Sequence, residues 1–274
     1  MTTSTAPPLD TSRYPRVAAY LDAYCSGPGA GTENEPHAAE LAFSIGRARV
    51  SQEPFTVATV DGFLPDPLYQ DVLRDWPQLT LNPVNVGGGS AKHVGSRHSA
   101  GLQSWKPETV DTPDTWGSLA RLTRSAPLTR ALFTRFADVV EDNLAHPDVR
   151  NITQPGFRLW ANQDRGQAEA LGAHVDSLPK LLTIVLYLDL RGPTTDESTR
   201  RWGTTTYAIA PDEVETVSFS PNTGRTPAGH IYFRPNRAFI MPNCSSALHG
   251  VTGGEAGVTR RSLMWGYWLI TSKS

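Results

Sequence analysis

Residues 171–189 read LGAHVDSLPKLLTIVLYLD, and the fold is decided by how this stretch is read. Its second half, Leu181–Leu190, is almost entirely apolar, as a strand buried on both faces would be. Its first half sets His174 and Asp176 two residues apart. In an extended segment residues i and i+2 project to the same side, so both side chains can reach one point. A third donor for that point stands in SSALHGVTG, where His249 follows Asp176 by 73 residues.

Working outward, the chain from about Gly156 changes to short β-type runs separated by turn residues. Strands are predicted at 156–162, 171–176, 180–189, 203–209, 214–219, 229–233, 237–241 and 259–270. Eight short strands without intervening helices imply a mainly β fold, a double-stranded β-helix (jelly roll) with flanking helices. Ahead of it, helices are predicted near 14–24 and 37–47, and a strand at Pro54–Val60. Asp66 can cap a further helix with Pro67 at its first position and Leu68, Val72 and Leu73 as its apolar stripe. Two more helices are predicted at 115–124 and 128–145; in the second, Leu128, Leu132, Phe136 and Val140 recur at helical spacing. These helices should pack on one sheet. The expected organisation is a flexible tail at 1–13 and one domain at 14–274, helical and mixed to 150 and jelly-roll from 151.

The 274 residues carry a net charge of −2, with 39% hydrophobic and 19% charged side chains, as in an ordinary soluble globule. That balance gives no reason to expect nucleic acid or a membrane surface as partner. No apolar run approaches a membrane span, and MTTSTAPPLD lacks the form of a signal peptide. Two cysteines, Cys25 and Cys244, read as reduced thiols, which points to the cytoplasm. Glycosylation-type triplets at Asn151 and Asn243 are then accidental. GGGSAK, within 82–103, lacks the ending of a phosphate loop. That region reads as a surface loop, or as a lid offering Lys92, His93, Arg97 and His98.

Two imidazoles and one carboxylate hold ferrous iron without the thiolates that favour zinc, and leave one face of the ion open. A chelating co-substrate can take two open positions and dioxygen the third. The last strand, TRRSLMWGYWLI, puts Arg260, Ser262 and Met264 on one face and Arg261 on the other. An arginine facing into a small barrel requires an anion, and a carboxylate gripped by Arg260 with Ser262 as extra donor would supply it.

With these residues in hand, the sequence resembles the 2-oxoglutarate/Fe(II)-dependent dioxygenases, and within them the prolyl-4-hydroxylase-like branch. The resemblance runs from Pro54 to Trp268 and is carried by HVDSLPKLLTIVLYLD, RWGTTTY, FRPNRAFIMPNCSSALHGV and RRSLMWGYW. It implies Fe(II) held by His174, Asp176 and His249. It also implies 2-oxoglutarate held at its far carboxylate by Arg260 with Tyr187, and O2 as the other co-substrate. The spacing to the arginine is slightly long, which leaves Arg261 as the alternative. FRLWANQDRGQAEALG lacks the tyrosine common in that branch and offers Asn162 or Gln163 instead. The implied reaction converts 2-oxoglutarate to succinate and CO2 while hydroxylating an unactivated C–H bond. Arg158, Trp160, Arg201 and Trp202 are expected to flank the mouth, with Lys180 above the strand end near the metal and Arg97 on the lid. The expected substrate is a small molecule, an amino acid or specialised metabolite. A prolyl-type peptide hydroxylase and a non-catalytic jelly-roll module with a relic metal site are the alternatives. Oligomeric state is not legible.

Overall fold

Alternation along the three longest strands, each of 12 residues, sorts the molecule into layers. A computed structural model describes residues 8–27, 31–84, 97–102, 115–149, 154–166, 171–177, 179–210, 225–251 and 254–270. The N-terminal half contributes α1 (Pro15–Ser26), α2 (Ala38–Gly46), β1 (Arg49–Ser51), β2 (Val57–Asp61), α3 (Asp66–Asp75), β3 (Asn82–Pro83) and β4 (Arg97–Gly101). Three further helices follow: α4 (Thr115–Arg124), α5 (Ala126–Arg135) and α6 (Ala137–Ala145). Next come β5 (Gln154–Arg165), β6 (Leu171–His174), β7 (Lys180–Arg191), the short α7 (Asp196–Arg201) and β8 (Thr204–Tyr207). The described chain ends with β9 (Pro227–Ile231), β10 (Arg237–Pro242), β11 (His249–Val251) and β12 (Thr259–Ile270). No helix among the described residues is long and apolar enough to cross a membrane.

The strands form two antiparallel sheets, ordered β1-β2-β10-β7-β12-β5-β4-β3 and β6-β11-β8-β9. At the centre of the larger sheet, β12 pairs with β5 along its whole length and with β7 on its other side. One face of this centre presents Leu182, Ile184 and Leu186 of β7, Leu263, Trp265 and Tyr267 of β12, and Leu159 of β5. The same core takes in Val17 and Tyr20 of α1, Leu41 of α2, Trp116 and Leu119 of α4, and Leu132 and Phe133 of α5. Each such side chain, fully buried, is stabilised by roughly 1.5–3 kcal/mol. Polar contacts fix the layers: the Tyr267 hydroxyl donates to the Thr123 carbonyl at 3.0 Å, with Tyr24 and Phe133 edge-on to its ring. The opposite face, with Val185, Arg260, Ser262 and Met264, lines a cavity that the smaller sheet lines from the other side.

Two bulges in β7 decide which side chains reach that cavity. Tyr267 is opposite Leu182 but Trp268 is opposite Lys180, so Leu181 is an extra residue. Ser262 is opposite Tyr187 but Arg261 is opposite Asp189, so Leu188 is a second. An extra residue on one strand exchanges the faces of everything beyond it.

Several expectations are corrected. The helix at 128–145 is two helices, broken at Phe136 (φ −117°, ψ 22°). Its stripe repeats every four residues, and each such step overshoots a full turn by about 40° on a helix of 3.6 residues per turn. A straight helix would swing Val140 away from the core, yet Leu128, Leu132, Phe136 and Val140 are all buried. The strands are not free of helices: α7 stands between β7 and β8, started by a capping box of Thr195 and Ser198. Part of the expected loop at 82–103 is strand, since β4 pairs with β5 from Arg97↔Asp164 to Gly101↔Trp160. Asn82–Pro83 is strand as well, while residues 85–96 of it, with Lys92 and His93, lie outside the described residues, as do the predicted strand at 214–219 and Asn151. The N-terminal and C-terminal halves share the larger sheet, with β1 and β2 at one edge region and β3 and β4 at the other.

Asn236 joins these halves. It sits in the left-handed region at φ 56°, which asparagine tolerates better than most residues. Its buried side chain accepts from the Leu64 N–H at 2.8 Å and donates to the Leu64 carbonyl at 2.7 Å. Asn236→Ala strands both backbone groups and strains the turn, and should lower unfolding free energy by about 2–3 kcal/mol in urea denaturation. A loss below about 1 kcal/mol would count against this account.

Candidate metal centre

Strand pairing brings the distant histidines together. In the smaller sheet β11 runs antiparallel to β6 with His249 directly opposite His174, and the two rings lie 4.3 Å apart between centroids. Asp176 follows β6 in a loop rather than in the strand itself, and the loop is held from beneath. The Asn243 side-chain amide donates to the carbonyls of Asp176 (3.2 Å) and Ser177 (2.9 Å). One donor atom from each of His174, Asp176 and His249 lies within 4.8 Å of the others.

The donors are chemically prepared. His249 Nδ1 donates to the Ala247 carbonyl at 2.9 Å, which leaves Nε2 with its lone pair toward the site. Burial lowers the basicity of His249 against the pull of Asp176, so the ring stays neutral near pH 7. For Asp176, burial works to raise the carboxyl, but Lys180, His249 and His174 together overcome it and hold it well below the usual carboxylate range. Its two oxygens are unequal. Oδ2 accepts from Lys180 Nζ and from the Thr183 hydroxyl, both at 2.8 Å. Oδ1 stands 3.8 Å from His174 Nε2, within the span of two bonds of about 2.1 Å to one ion. Two imidazoles and one carboxylate oxygen, with no thiolate, fit a ferrous ion.

These donors line a cavity of about 170 Å³ between the sheets. Another part of its wall is cationic. Arg97 from β4 grips Asp164 of β5 through Nε (2.5 Å) and Nη2 (2.9 Å), and both are buried. Arg260 of β12 lies with Nε 3.5 Å from Asp164 Oδ2, feeling its charge without a well-formed hydrogen bond. Two guanidinium groups and one carboxylate leave a net positive charge in a buried place, which favours an anion. Among the described residues, Arg260 Nε and Ser262 Oγ have no hydrogen-bond partner, and both residues line the cavity. Arg260 is otherwise fixed: Nη1 donates to the Trp202 carbonyl at 2.9 Å and the guanidinium lies 5.4 Å from the Tyr187 ring centre.

The other sequence-predicted residues fall in different places. Tyr187 stands outside the cavity lining, with its hydroxyl 2.7 Å from Thr204 Oγ1, and it is Thr204 that faces the space. Arg261 points to the opposite face, over the Trp76 ring at 5.4 Å and 3.7 Å from Asp189. Asn162 lines the cavity, whereas Gln163 does not. Arg158 is exposed and stacks on Trp268 at 4.8 Å, while Arg201 is exposed and pairs with Glu197 at 3.1 Å. Trp160 is half-buried and outside the lining. Trp202 is fully buried and serves through its carbonyl, its ring packed where a Cβ on Gly254 would collide at 1.8 Å. None of these four lines the cavity, because alternation and burial send their side chains elsewhere. Sequence reading missed Asp164, Thr183, Thr204 and Asn243. Only Asn243 carried a signal, a sugar-acceptor triplet whose asparagine proves buried.

No protein-family model matches the chain, and no curated protein matches it. Solved structures do. A 2OG-Fe(II) oxygenase family oxidoreductase from Burkholderia pseudomallei is 15% identical, with 88% of this chain and 97% of that one covered at a TM-score of 0.47. A prolyl hydroxylase from Trichoplax adhaerens, in complex with a hypoxia inducible factor peptide fragment, is 14% identical over 77% and 83% of the chains (TM-score 0.46). A prolyl-4-hydroxylase from Pseudomonas putida is 12% identical over 85% and 100% (TM-score 0.46).

If the three donors share one ion, His174→Ala or His249→Ala should weaken anaerobic Mn(II) or Co(II) binding by about 100-fold or more, beyond the effect of losing an outer partner. Binding left within about threefold of the unaltered chain, measured by calorimetric titration, would remove the metal centre.

Proposed function

We propose that the protein is a 2-oxoglutarate/Fe(II)-dependent oxygenase that hydroxylates an unactivated C–H bond of a small molecule, on a core closed as a double-stranded β-helix. The observation that carries this reading is the pairing, in one cavity, of the His174–Asp176–His249 donor set with a buried, net-positive arginine cluster. A divalent ion at the first and a carboxylate at the second are what a keto acid chelating iron would need.

The iron, when bound, would supply the oxygen chemistry that couples loss of CO2 from 2-oxoglutarate to substrate hydroxylation. The chain's own groups bind and orient. His174, Asp176 and His249 would hold the ion on one side, leaving the other open. Arg260 would take the far carboxylate, with the hydroxyl of Ser262 beside it on β12 and that of Thr204 across the cavity on β8 as further donors. Val185, Phe239 and Met264 give the larger sheet's wall an apolar part that excludes water from the reacting end. Facing the space, Arg260 suits this role, and Arg261 on the other face does not.

Size favours a small substrate. A cavity of about 170 Å³ is slightly larger than one of about 150 Å³ that accommodates benzene. It fits a five-carbon dicarboxylate with a compact partner at its mouth better than a peptide laid through it. Two free, half-buried thiols, Cys25 and Cys244, favour a reducing compartment such as the cytoplasm.

The test is equilibrium binding of 2-oxoglutarate to the Mn(II)-loaded protein without oxygen. A charge-assisted contact contributes about 1.5–3 kcal/mol, so Arg260→Met should weaken binding roughly 10- to 150-fold. Arg261→Met should stay within about threefold. Equal effects from both variants, or no binding by the unaltered chain, would defeat the assignment. Succinate release with added free amino acids or other metabolites then identifies the substrate class.

A further inference from the structure

Resting on the metal-centre reading above, we infer that Lys180 is a positioning residue that holds the second oxygen of the Asp176 carboxylate and tempers the site's affinity for its ion. Lysine at the start of an apolar strand would ordinarily send its ammonium to water along its flexible stem. Here the opposite is built. The bulge at Leu181 turns Lys180 away from the Leu182 face, where the helices pack, and into the cavity with Thr183. Its stem crosses β12 at Gly266, where a Cβ would come within 3.3 Å of Lys180 Cε and 2.7 Å of the Leu182 carbonyl oxygen. The ammonium lies 5.4 Å from the centre of the Trp268 ring, a favourable seat for a cation. It ends 2.8 Å from Asp176 Oδ2, with Lys180 only 5% exposed.

Two consequences follow from this seat. Oδ2, engaged by Lys180 and Thr183, is withheld, so Asp176 offers the ion one oxygen and the open positions stay open. A fixed positive charge a few ångströms from a divalent cation also opposes its binding, and at protein-like dielectric that opposition amounts to about tenfold or more in affinity. A lysine serving only to pack or to anchor the loop would act the other way, since losing it would loosen the site and weaken binding. The sign of the effect separates the two roles.

The experiment is anaerobic Mn(II) titration of the full chain, without 2-oxoglutarate, for the unaltered protein and Lys180→Met, Lys180→Gln, Lys180→Arg and Thr183→Val. Lys180→Met and Lys180→Gln, which remove the charge, should bind Mn(II) about tenfold or more tightly. Lys180→Arg, which keeps it, should remain within about threefold, and Thr183→Val should show no gain. Should the methionine variant fail to fold, the glutamine variant carries the comparison. Neutral variants that bind equally or more weakly, while the unaltered chain binds, overturn this inference alone. No uptake by the unaltered chain overturns the metal-centre reading and this inference with it.

Discussion

The site depends on one antiparallel pairing, that of β6 with β11, which sets two imidazoles side by side from positions 75 residues apart in sequence. Each strand is short, and neither would hold its place alone. They are held by the rest of the smaller sheet, where β11 also pairs with β8, and across the cavity stands the buried β5–β12–β7 centre. The helices press on the other side of that centre through Tyr267 and its aromatic neighbours. The rigid layer is therefore the larger sheet, and the donors are mounted opposite it on a light frame.

The interior between the sheets is unusually rich in charge for a space this small. Lys180, Asp176, Arg97, Asp164 and Arg260 are all buried or nearly so. Such groups are expensive to desolvate, and pairing offsets the expense only in part. The chain sets aside two partly separate accounts: a lysine–aspartate pair at the donor end, and two arginines around one aspartate elsewhere on the wall. The first is balanced and the second is not. That asymmetry is why one region suits a cation and the other an anion.

Much of this was legible in the sequence. The apolar run of β7 and the alternation Arg260–Ser262–Met264 follow from period-two geometry and lead to the right face, and the His174–Asp176 spacing leads to the right cavity although Asp176 lies just past the strand. What stayed hidden has a common cause. A bulge leaves no mark in composition, so the place expected for Lys180 near the metal came without the extra residue at Leu181 that turns it there, and nothing announced the one at Leu188. Asp164 lies past the predicted strand at 156–162, and its partner, Arg97, comes from a stretch too rich in glycine and polar side chains to read as strand. The break at Phe136 was concealed by a repeat of four, which imitates a helix over two turns and departs from one over four. Arg158 and Arg201 drew attention by type and motif, yet an exposed guanidinium beside its own local partner is an ordinary surface residue.

The provenance of the larger sheet's edges bears on how the chain acquires its shape. Its outer strands come from the first half of the sequence, while the central strands they must pair with come from the second. During synthesis β1–β2 and β3–β4 can pair at once, but β2 must wait for β10, with Arg237 176 positions beyond its partner Asp61, and β4 for β5, with Asp164 67 positions beyond Arg97. Closing such long loops is slow, and unpaired strands are sticky in the interval. Folding should therefore begin late, with the two sheets forming nearly at once, and a ribosome-bound fragment lacking β12 should depend on chaperones to stay in solution.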